Sequence, residues 1–400
     1  MKKLKVFQIN SVCGTGSTGR IVCDIKDMLE LKGHKCQIAY GRGFYDDPNC
    51  IKIESDLVFK AHVFFSRITD RQGFYSSAAT KRLVRSIEHF EPDIIHLHNI
   101  HGYYLDIRVL FEFLKRYKKP VVWTLHDCWA FTGHCAYFSY ADCNKWKTGC
   151  GQCPQKYSYP ASFVLDDSKK SFAEKKRLFT GVENLNIVTP SNWLGGLVKE
   201  SFLKDFPVKT IYNGLDLNVF KPSKSDFKEK NGLKGKKIVL GVANIWEKRK
   251  GLNDFIELSK ILPTDYKIVL VGLSEKQISS LPKEILGISR TENTQKLIEI
   301  YSSADVYVNA SVEETMGLTT VEAMATGTPA IVYNATALPE VVDEKSGVIV
   351  SAGDINALYK TIVNMNLKSE DCILKAKDFE KNKQYELYME LYEKILNNRC

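Results

Sequence analysis

Short apolar runs rich in valine and isoleucine alternate along the chain with stretches whose apolar residues recur at helical spacing. Strands buried on both faces read as such continuous runs, and their alternation with amphipathic segments predicts strand, helix, strand units wound into parallel sheets. In the first half the predicted strands are Val6–Asn10, Cys36–Tyr40, Ile94–His98, Val121–His126 and Ile187–Pro190. A polar, lysine-rich stretch, Lys221–Lys237, interrupts the pattern, which restarts with Ile238–Val242, Lys267–Val271, Val306–Asn309 and Ala330–Tyr333. The restart predicts a second domain. Between the two series, VKTIYNGLDLNVFKP carries Asn213-Gly214 and Pro222, turn formers that suit a connecting hinge. The expected organisation is an α/β chain with one domain over 1–208, a second over 209–384 and a terminal helix over 385–400. Tyr385, Tyr388, Leu391, Tyr392 and Ile395 put one face of that helix against a domain.

A length of 400 residues supports this division, because single hydrophobic cores stop growing at roughly 250–300 residues. The hydrophobic fraction of 44% is that of a folded protein and excludes a disordered chain. Lys and Arg outnumber Asp and Glu by 56 to 47, a balance that favours anionic partners without selecting among nucleotides, lipid head groups and nucleic acid. No run approaches the ~18 apolar residues of a membrane-spanning helix, and MKKLKVFQINSV lacks the apolar core and cleavage site of a secretion signal. The cytoplasm is therefore the expected compartment, where cysteines are more readily free or metal-bound than paired.

Open α/β sheets bind ligands beyond the carboxyl ends of their strands, so a cleft between two such sheets is where chemistry is expected. The most informative stretch, SVEETMGLTTVEAMATGTPAIV, directly follows the strand VYVNA. A helix starting near Leu318 would aim free backbone N–H groups and its positive dipole end at a diphosphate, and Gly317 would let backbone approach it closely. Glu314 and Glu322 would flank that site and accept hydrogen bonds from hydroxyls, since carboxylates suit polyols and repel phosphates. Two solvated glutamates on an amphipathic helix are the plainer reading of the same pair. In GVANIWEKRKGLNDF, Lys248, Arg249 and Lys250 precede Gly251 and a helix, where cations would neutralise a leaving diphosphate.

Gly14, Gly16 and Gly19 formally fit a dinucleotide fingerprint, but the second predicted strand ends IAYGRG without the acid a dehydrogenase would want, so Gly16 reads as a phosphate contact or a plain turn. His126-Asp127 and His98-Asn99 follow strands, and His96 faces the core. An insertion at about 128–153 holds Cys135, Cys143, Cys150 and Cys153, the last two as C-x2-C. Structural zinc, free or redox-active thiols, an iron–sulfur cluster and disulfides all remain open for it. Basic and aromatic residues interleave from Leu57 to Arg85, as on an anionic membrane surface, a lipid-linked acceptor site or an ordinary helix pair.

Glu314, Glu322 and the continuation Glu322-Ala323-Met324-Ala325-Thr326-Gly327-Thr328-Pro329 resemble the E-x7-E signature of retaining glycosyltransferases of family 4. Thr189–Leu194 (TPSNWL) and Asn213–Asp216 (NGLD) are similar to that family's hinge-side motifs. The resemblance implies the GT-B fold, two Rossmann-like doubly wound domains facing a central cleft, with the last helix crossing back onto the first domain. It implies that Glu314 contacts the donor sugar, Glu322 the ribose, and the backbone of Met316, Gly317, Leu318 and Thr319 the phosphates. Lys250 matches the family's lysine, whereas Ala243 or Asn244 stands where its arginine usually does and Arg249 is the candidate substitute. His126 matches a donor-sugar contact and Gly16 a donor-phosphate contact. The implied activity is metal-independent, retaining hexosyl transfer from a UDP- or GDP-sugar to a saccharide or lipid-linked acceptor in surface polysaccharide or lipopolysaccharide synthesis, without nucleic acid. A sugar-nucleotide epimerase, a phosphorylase and a metal-organised binding protein are the rival readings.

Overall fold

The computed structural model describes residues 3–397, so the outermost residues of the first and last predicted segments, 1–2 and 398–400, lie outside the described residues. The chain divides into two compact units. The first runs to Tyr212 and takes in the last helix from Gln384; the second is Asn213–Lys383. The division falls after Tyr212 rather than at 208 because Val208–Thr210 hydrogen-bonds to the first unit's sheet.

The first unit holds seven parallel strands, β1 (Lys5–Val12), β2 (Lys35–Arg42), β3 (Cys50–Lys52), β4 (Ile94–Leu97), β5 (Val121–Thr124), β6 (Leu185–Thr189) and β7 (Val208–Thr210), in the order β3-β2-β1-β4-β5-β6-β7. Both faces are packed, and successive residues go to opposite cores. Phe7, Ile9, Leu97 and Trp123 join one, while Val6, Ile94, Val122 and Val188 join the other with Tyr385, Tyr388 and Tyr392 of the helix Lys381–Asn397.

The second unit holds six parallel strands, β8 (Lys237–Val242), β9 (Tyr266–Val271), β10 (Ile285–Ile288), β11 (Val306–Asn309), β12 (Ala330–Tyr333) and β13 (Gly347–Val350), in the order β10-β9-β8-β11-β12-β13. In each sheet the order reverses once, between β1 and β4 and between β8 and β11, which is the doubly wound Rossmann arrangement. The strands that the apolar pattern does not predict, β3, β7, β10 and β13, all lie at sheet edges. β4 and β5 end at Leu97 and Thr124, so His98 and His126 stand on the loops beyond them rather than on strands.

The terminal helix is locked onto the first sheet by a buried polar chain. The Tyr392 hydroxyl lies 2.7 Å from His96 Nδ1, His96 Nε2 lies 2.8 Å from Thr124 Oγ1, and Thr124 Oγ1 lies 3.0 Å from the Tyr388 hydroxyl. Burial pushes His96 down to about 3, so the ring is neutral at physiological pH. Tyr392→Phe should leave His96 Nδ1 without its partner and lower unfolding free energy by about 1–3 kcal/mol in urea titration; an unchanged value would mean the chain does not hold the helix.

Candidate active site

In the second unit the loops leaving β8 and β11 diverge at the strand reversal, and they bring together residues more than sixty positions apart. Gly251, with φ +73°, ends the basic turn, and a Cβ there would meet the Ala310 carbonyl oxygen at 2.3 Å, so only glycine lets the two loops approach. Lys250 Nζ makes an ion pair with Glu314 Oε1, both side chains largely shielded from solvent. The Ser311 hydroxyl donates to the same oxygen at 3.2 Å. Burial works against the Glu314 charge, but Lys250 and Arg249 outweigh it and hold the carboxyl below its usual range. Burial depresses Lys250 in turn, and Glu314 offsets part of that.

The backbone of Glu314 is fixed from β12's side of the site. Its N–H donates to Thr336 Oγ1 and its carbonyl accepts from the same hydroxyl, each at 2.9 Å. Arg249 serves the loop: it donates to the Glu313 carbonyl at 2.9 Å and pairs with Glu247 at 3.1 Å. These contacts make the guanidinium a brace for the loop, and its charge acts on Glu314 together with that of Lys250.

Gly317 has φ +88° and stands immediately before the helix Leu318–Ala325, at the capping position, so it supplies no side-chain cap. A Cβ at Gly317 would lie 2.6 Å from Leu338 Cδ2. Leu318 and Thr319 open the helix, while the Met316 side chain is buried, its sulfur accepting from Asn213 N–H at 3.2 Å. Glu322, on the same helix, accepts from the Tyr301 hydroxyl at 2.9 Å, and Tyr307 donates to Thr319 Oγ1 at 2.8 Å. Burial raises the Tyr307 phenol far above its ordinary value, and the charges of Glu314 and Glu322 add to it. Sequence reading missed Ser311, Thr336, Tyr301 and Tyr307, which no motif marks.

In the first unit the corresponding reversal gathers the glycine loop and the histidines. Gly16, φ +66°, begins the helix Gly16–Leu31 behind Thr15, which provides no side-chain cap; a Cβ on Gly16 would meet nothing within 4 Å. His126 Nε2 lies 3.2 Å from His98 Nδ1, and His98 Nε2 lies 3.0 Å from Gln8 Oε1. Gln8 Nε2 donates to the Val22 carbonyl, which leaves Oε1 as acceptor and fixes the order of donors: His98 carries its proton on Nε2 and His126 on its own Nε2. Burial pushes His126 down to about 4. Asp127 sits 2.8 Å from His101 Nε2 and accepts from the Trp129 N–H at 2.9 Å.

Residues 18–219 match the family model described as Glycosyltransferase Family 4 and residues 236–366 the model described as Glycosyl transferases group 1. The chain belongs to the family 4, group 1 glycosyltransferases. A colanic acid biosynthesis glycosyl transferase of Escherichia coli K12, as WcaC is named, is 24% identical over 89% of this chain and 90% of its own. A sucrose-phosphate synthase of Thermosynechococcus elongatus superposes with a TM-score of 0.70 at 16% identity, covering 99% of this chain and 100% of the other. HepE of Anabaena, solved in complex with UDP-glucose, gives 0.66 at 14%, covering 98% and 100%. These likenesses give this glycosyltransferase the GT-B fold.

The cysteine insertion is placed beside the loop that carries His126. Every described cysteine is a free thiol. Cys135, Cys143, Cys150 and Cys153 line one small pocket with His134, whose Nδ1 is engaged by Asp70 and whose buried Nε2 has no hydrogen-bond partner. The thiols of Cys135 and Cys153 are hydrogen-bonded, and Cys150 accepts from the Gly133 N–H at 3.2 Å. The donor chemistry suits a soft ion, but among the described residues no three His, Cys, Asp or Glu side chains are gathered as a group that would hold a metal.

Buried Lys175 pins this region. Its ammonium lies 3.4 Å from the Trp129 ring centroid and donates to the carbonyls of Trp129 and Thr132 at 2.9 and 3.2 Å. Burial lowers it to about 7. The unfolded chain keeps this proton to about pH 10.4 and the folded chain releases it earlier, so between those values the unfolded state binds more protons and stability rises with pH. Wild type should therefore gain stability over Lys175→Met from pH 7 towards 10, by at most about 1.4 kcal/mol per pH unit in chemical denaturation; parallel curves would remove Lys175 as the source.

Proposed function

We propose that this glycosyltransferase is a retaining, metal-independent hexosyltransferase. It takes its sugar from a UDP- or GDP-sugar and delivers it to a saccharide or lipid-linked oligosaccharide at the cytoplasmic face, in surface polysaccharide or lipopolysaccharide synthesis. The observation that carries the reading is the Lys250–Glu314 pair set in the same neighbourhood as the uncapped start of the helix Leu318–Ala325. A donor diphosphate laid against that helix start takes hydrogen bonds from the backbone at Leu318 and Thr319 and charge from Lys250, which then shares its ammonium between phosphate and Glu314. The freed lone pairs of Glu314 accept from sugar hydroxyls, and Glu322, steadied by Tyr301, accepts from ribose. His126 and Gly16 keep the sugar-side and phosphate-side roles implied by their motifs.

In the transfer, the bond between the anomeric carbon and the diphosphate oxygen breaks, the acceptor oxygen bonds to that carbon from the same face, and the acceptor proton passes to the departing phosphate. Lys250 and the helix start stabilise the charge that develops on the leaving group, the electrostatic task that a metal performs in other transferases.

A donor screen reading released nucleoside diphosphate, with the product anomer assigned by NMR, tests this. Glu314→Ala and Lys250→Ala should each lower turnover by about 10²–10³. Each leaves its partner's charge buried and unpaired at a cost of about 3–5 kcal/mol, so thermal melts accompany the kinetics and the double variant, which removes both charges, should recover stability without activity. Folded variants with wild-type turnover would overturn the assignment, donor consumption without acceptor would favour an epimerase or hydrolytic reading, and an inverted anomer would refute retention.

Structural zinc in the cysteine insertion is a separate proposal, supported by four thiols and an unpartnered histidine nitrogen around one pocket. Binding would draw the thiols together. Elemental analysis of protein purified without chelators should find about one zinc per chain, lost in Cys150→Ser/Cys153→Ser; protein free of zinc and equally stable with added metal would discard it.

A further inference from the structure

Three thiols meet beside the glycine loop of the first unit. Cys13 directly follows β1, Cys23 lies in the middle of the helix Gly16–Leu31, and Cys50 opens the edge strand β3. Cys13 stands ten residues from Cys23 and thirty-seven from Cys50 in the chain, yet its Sγ lies 3.4 Å from the sulfur of Cys23 and 3.7 Å from that of Cys50. A lone buried cysteine acts as a small apolar residue and is chemically inert. These three differ in their surroundings. Cys13 and Cys23 are buried in one small core with Val22, Ile38 and Tyr40, whereas Cys50 is half-buried at its rim. Tyr45 ties the cluster to the loop, because its side chain is hydrogen-bonded to Cys23 while its ring lies where a Cβ on Gly14 would fall, at 2.3 Å.

Exposure and freedom of movement decide which pair reacts. A small oxidant meets Cys50 first, since the other two sulfurs belong to buried residues. Closing a disulfide from 3.7 Å to about 2.05 Å needs the sulfurs to approach by about 1.7 Å. Cys23 is held by the hydrogen bonds of its helix on both sides, but β3 is three residues long and pairs with β2 alone, so Cys50 is the partner that gives way. We infer that this cluster is an oxidation site in which Cys50 takes oxygen from a hydroperoxide and Cys13 closes a disulfide onto it, drawing the glycine loop from its place. The Cys50 sulfur attacks hydrogen peroxide, the O–O bond breaks, and one oxygen leaves as water with the thiol proton, which leaves a sulfenic acid. The Cys13 sulfur then displaces that hydroxyl, which departs as a second water with the Cys13 proton. Two thiols are oxidised by two electrons and one peroxide is reduced to two waters. Because Cys13 adjoins Gly14, whose N–H donates to the Gly19 carbonyl at 3.0 Å, its movement carries the loop that presents Gly16. The disulfide needs neither donor nor acceptor, and only its effect on turnover rests on the proposed reading of Gly16 as a phosphate contact.

Titration of the full chain with hydrogen peroxide, followed by non-reducing peptide mapping, tests it. Wild type should yield a Cys13–Cys50 cross-link that dithiothreitol reverses, and Cys50→Ser should yield none. In Cys13→Ser the sulfenic acid has no resolving thiol, so dimedone should tag Cys50. Amide exchange over residues 14–19 should quicken at least about fivefold in cross-linked wild type and stay unchanged in Cys50→Ser under the same peroxide. Donor turnover should fall at least about tenfold on cross-linking and return with dithiothreitol. Cys50→Ser should keep its turnover through the same treatment; oxidation of the thiols in the insertion is common to both proteins, so the difference between them reads this cluster. A chain that proves to lack transferase activity would still be judged by the cross-link and the exchange. Absence of a cross-link, a link from Cys13 to Cys23 instead, an untagged Cys50 in folded Cys13→Ser, or cross-linked protein with unchanged exchange would each overturn the inference.

Discussion

The reversal of strand order in a parallel sheet is the constraint on which the rest of this structure depends. Where consecutive crossovers go to opposite sides, the loops leaving the two central strands separate and leave room at the sheet's carboxyl edge that side chains do not fill. Both units use it. Between β8 and β11 it admits Lys250 and Glu314; between β1 and β4 it admits the Gly16 loop and the ring of His98 that orients His126. A sheet without that reversal would carry the same residues on loops covered by neighbouring helices.

Electrostatics then decides how the site in the second unit is held. Two charges shielded from water cost more to leave alone than to pair, and the pair is steadied by Ser311, Thr336 and the Arg249 brace. The result is a carboxylate and an ammonium kept charged beside a helix start whose backbone donors lack a side-chain cap. In the proposed function, Lys250 would exchange part of one oxygen partner for a donor phosphate without losing its charge.

The first unit carries an opposite solution. His98 and His126 are neutral, pushed down by burial, and their protons are ordered by a single glutamine amide whose own donor is committed to Val22. Around them, the insertion after β5 packs Trp129, Phe131 and Trp146 into the same core as the sheet, so it is an extension of the domain and not a loose appendage. Lys175 closes that extension from within by satisfying two of its carbonyls.

The sequence by itself determined the two-sheet architecture, the central strands and the acidic, basic and glycine motifs, because strands buried on both faces must be apolar throughout and because phosphate and hydroxyl recognition draw on few residue types. It did not reveal β3 and β7, three-residue edge strands broken by a lysine, nor β10 and β13, edge strands whose apolar runs of four residues include a glycine and are too short to stand out. The partnership of Lys250 with Glu314, the bracing of the Glu313 carbonyl by Arg249, the proton order of His98 and His126 and the joining of Arg67 to Phe163 belonged to the tertiary structure alone. Each is a contact between segments far apart in the chain, and such contacts are fixed by how strands are ordered and loops are packed, which local residue patterns do not encode.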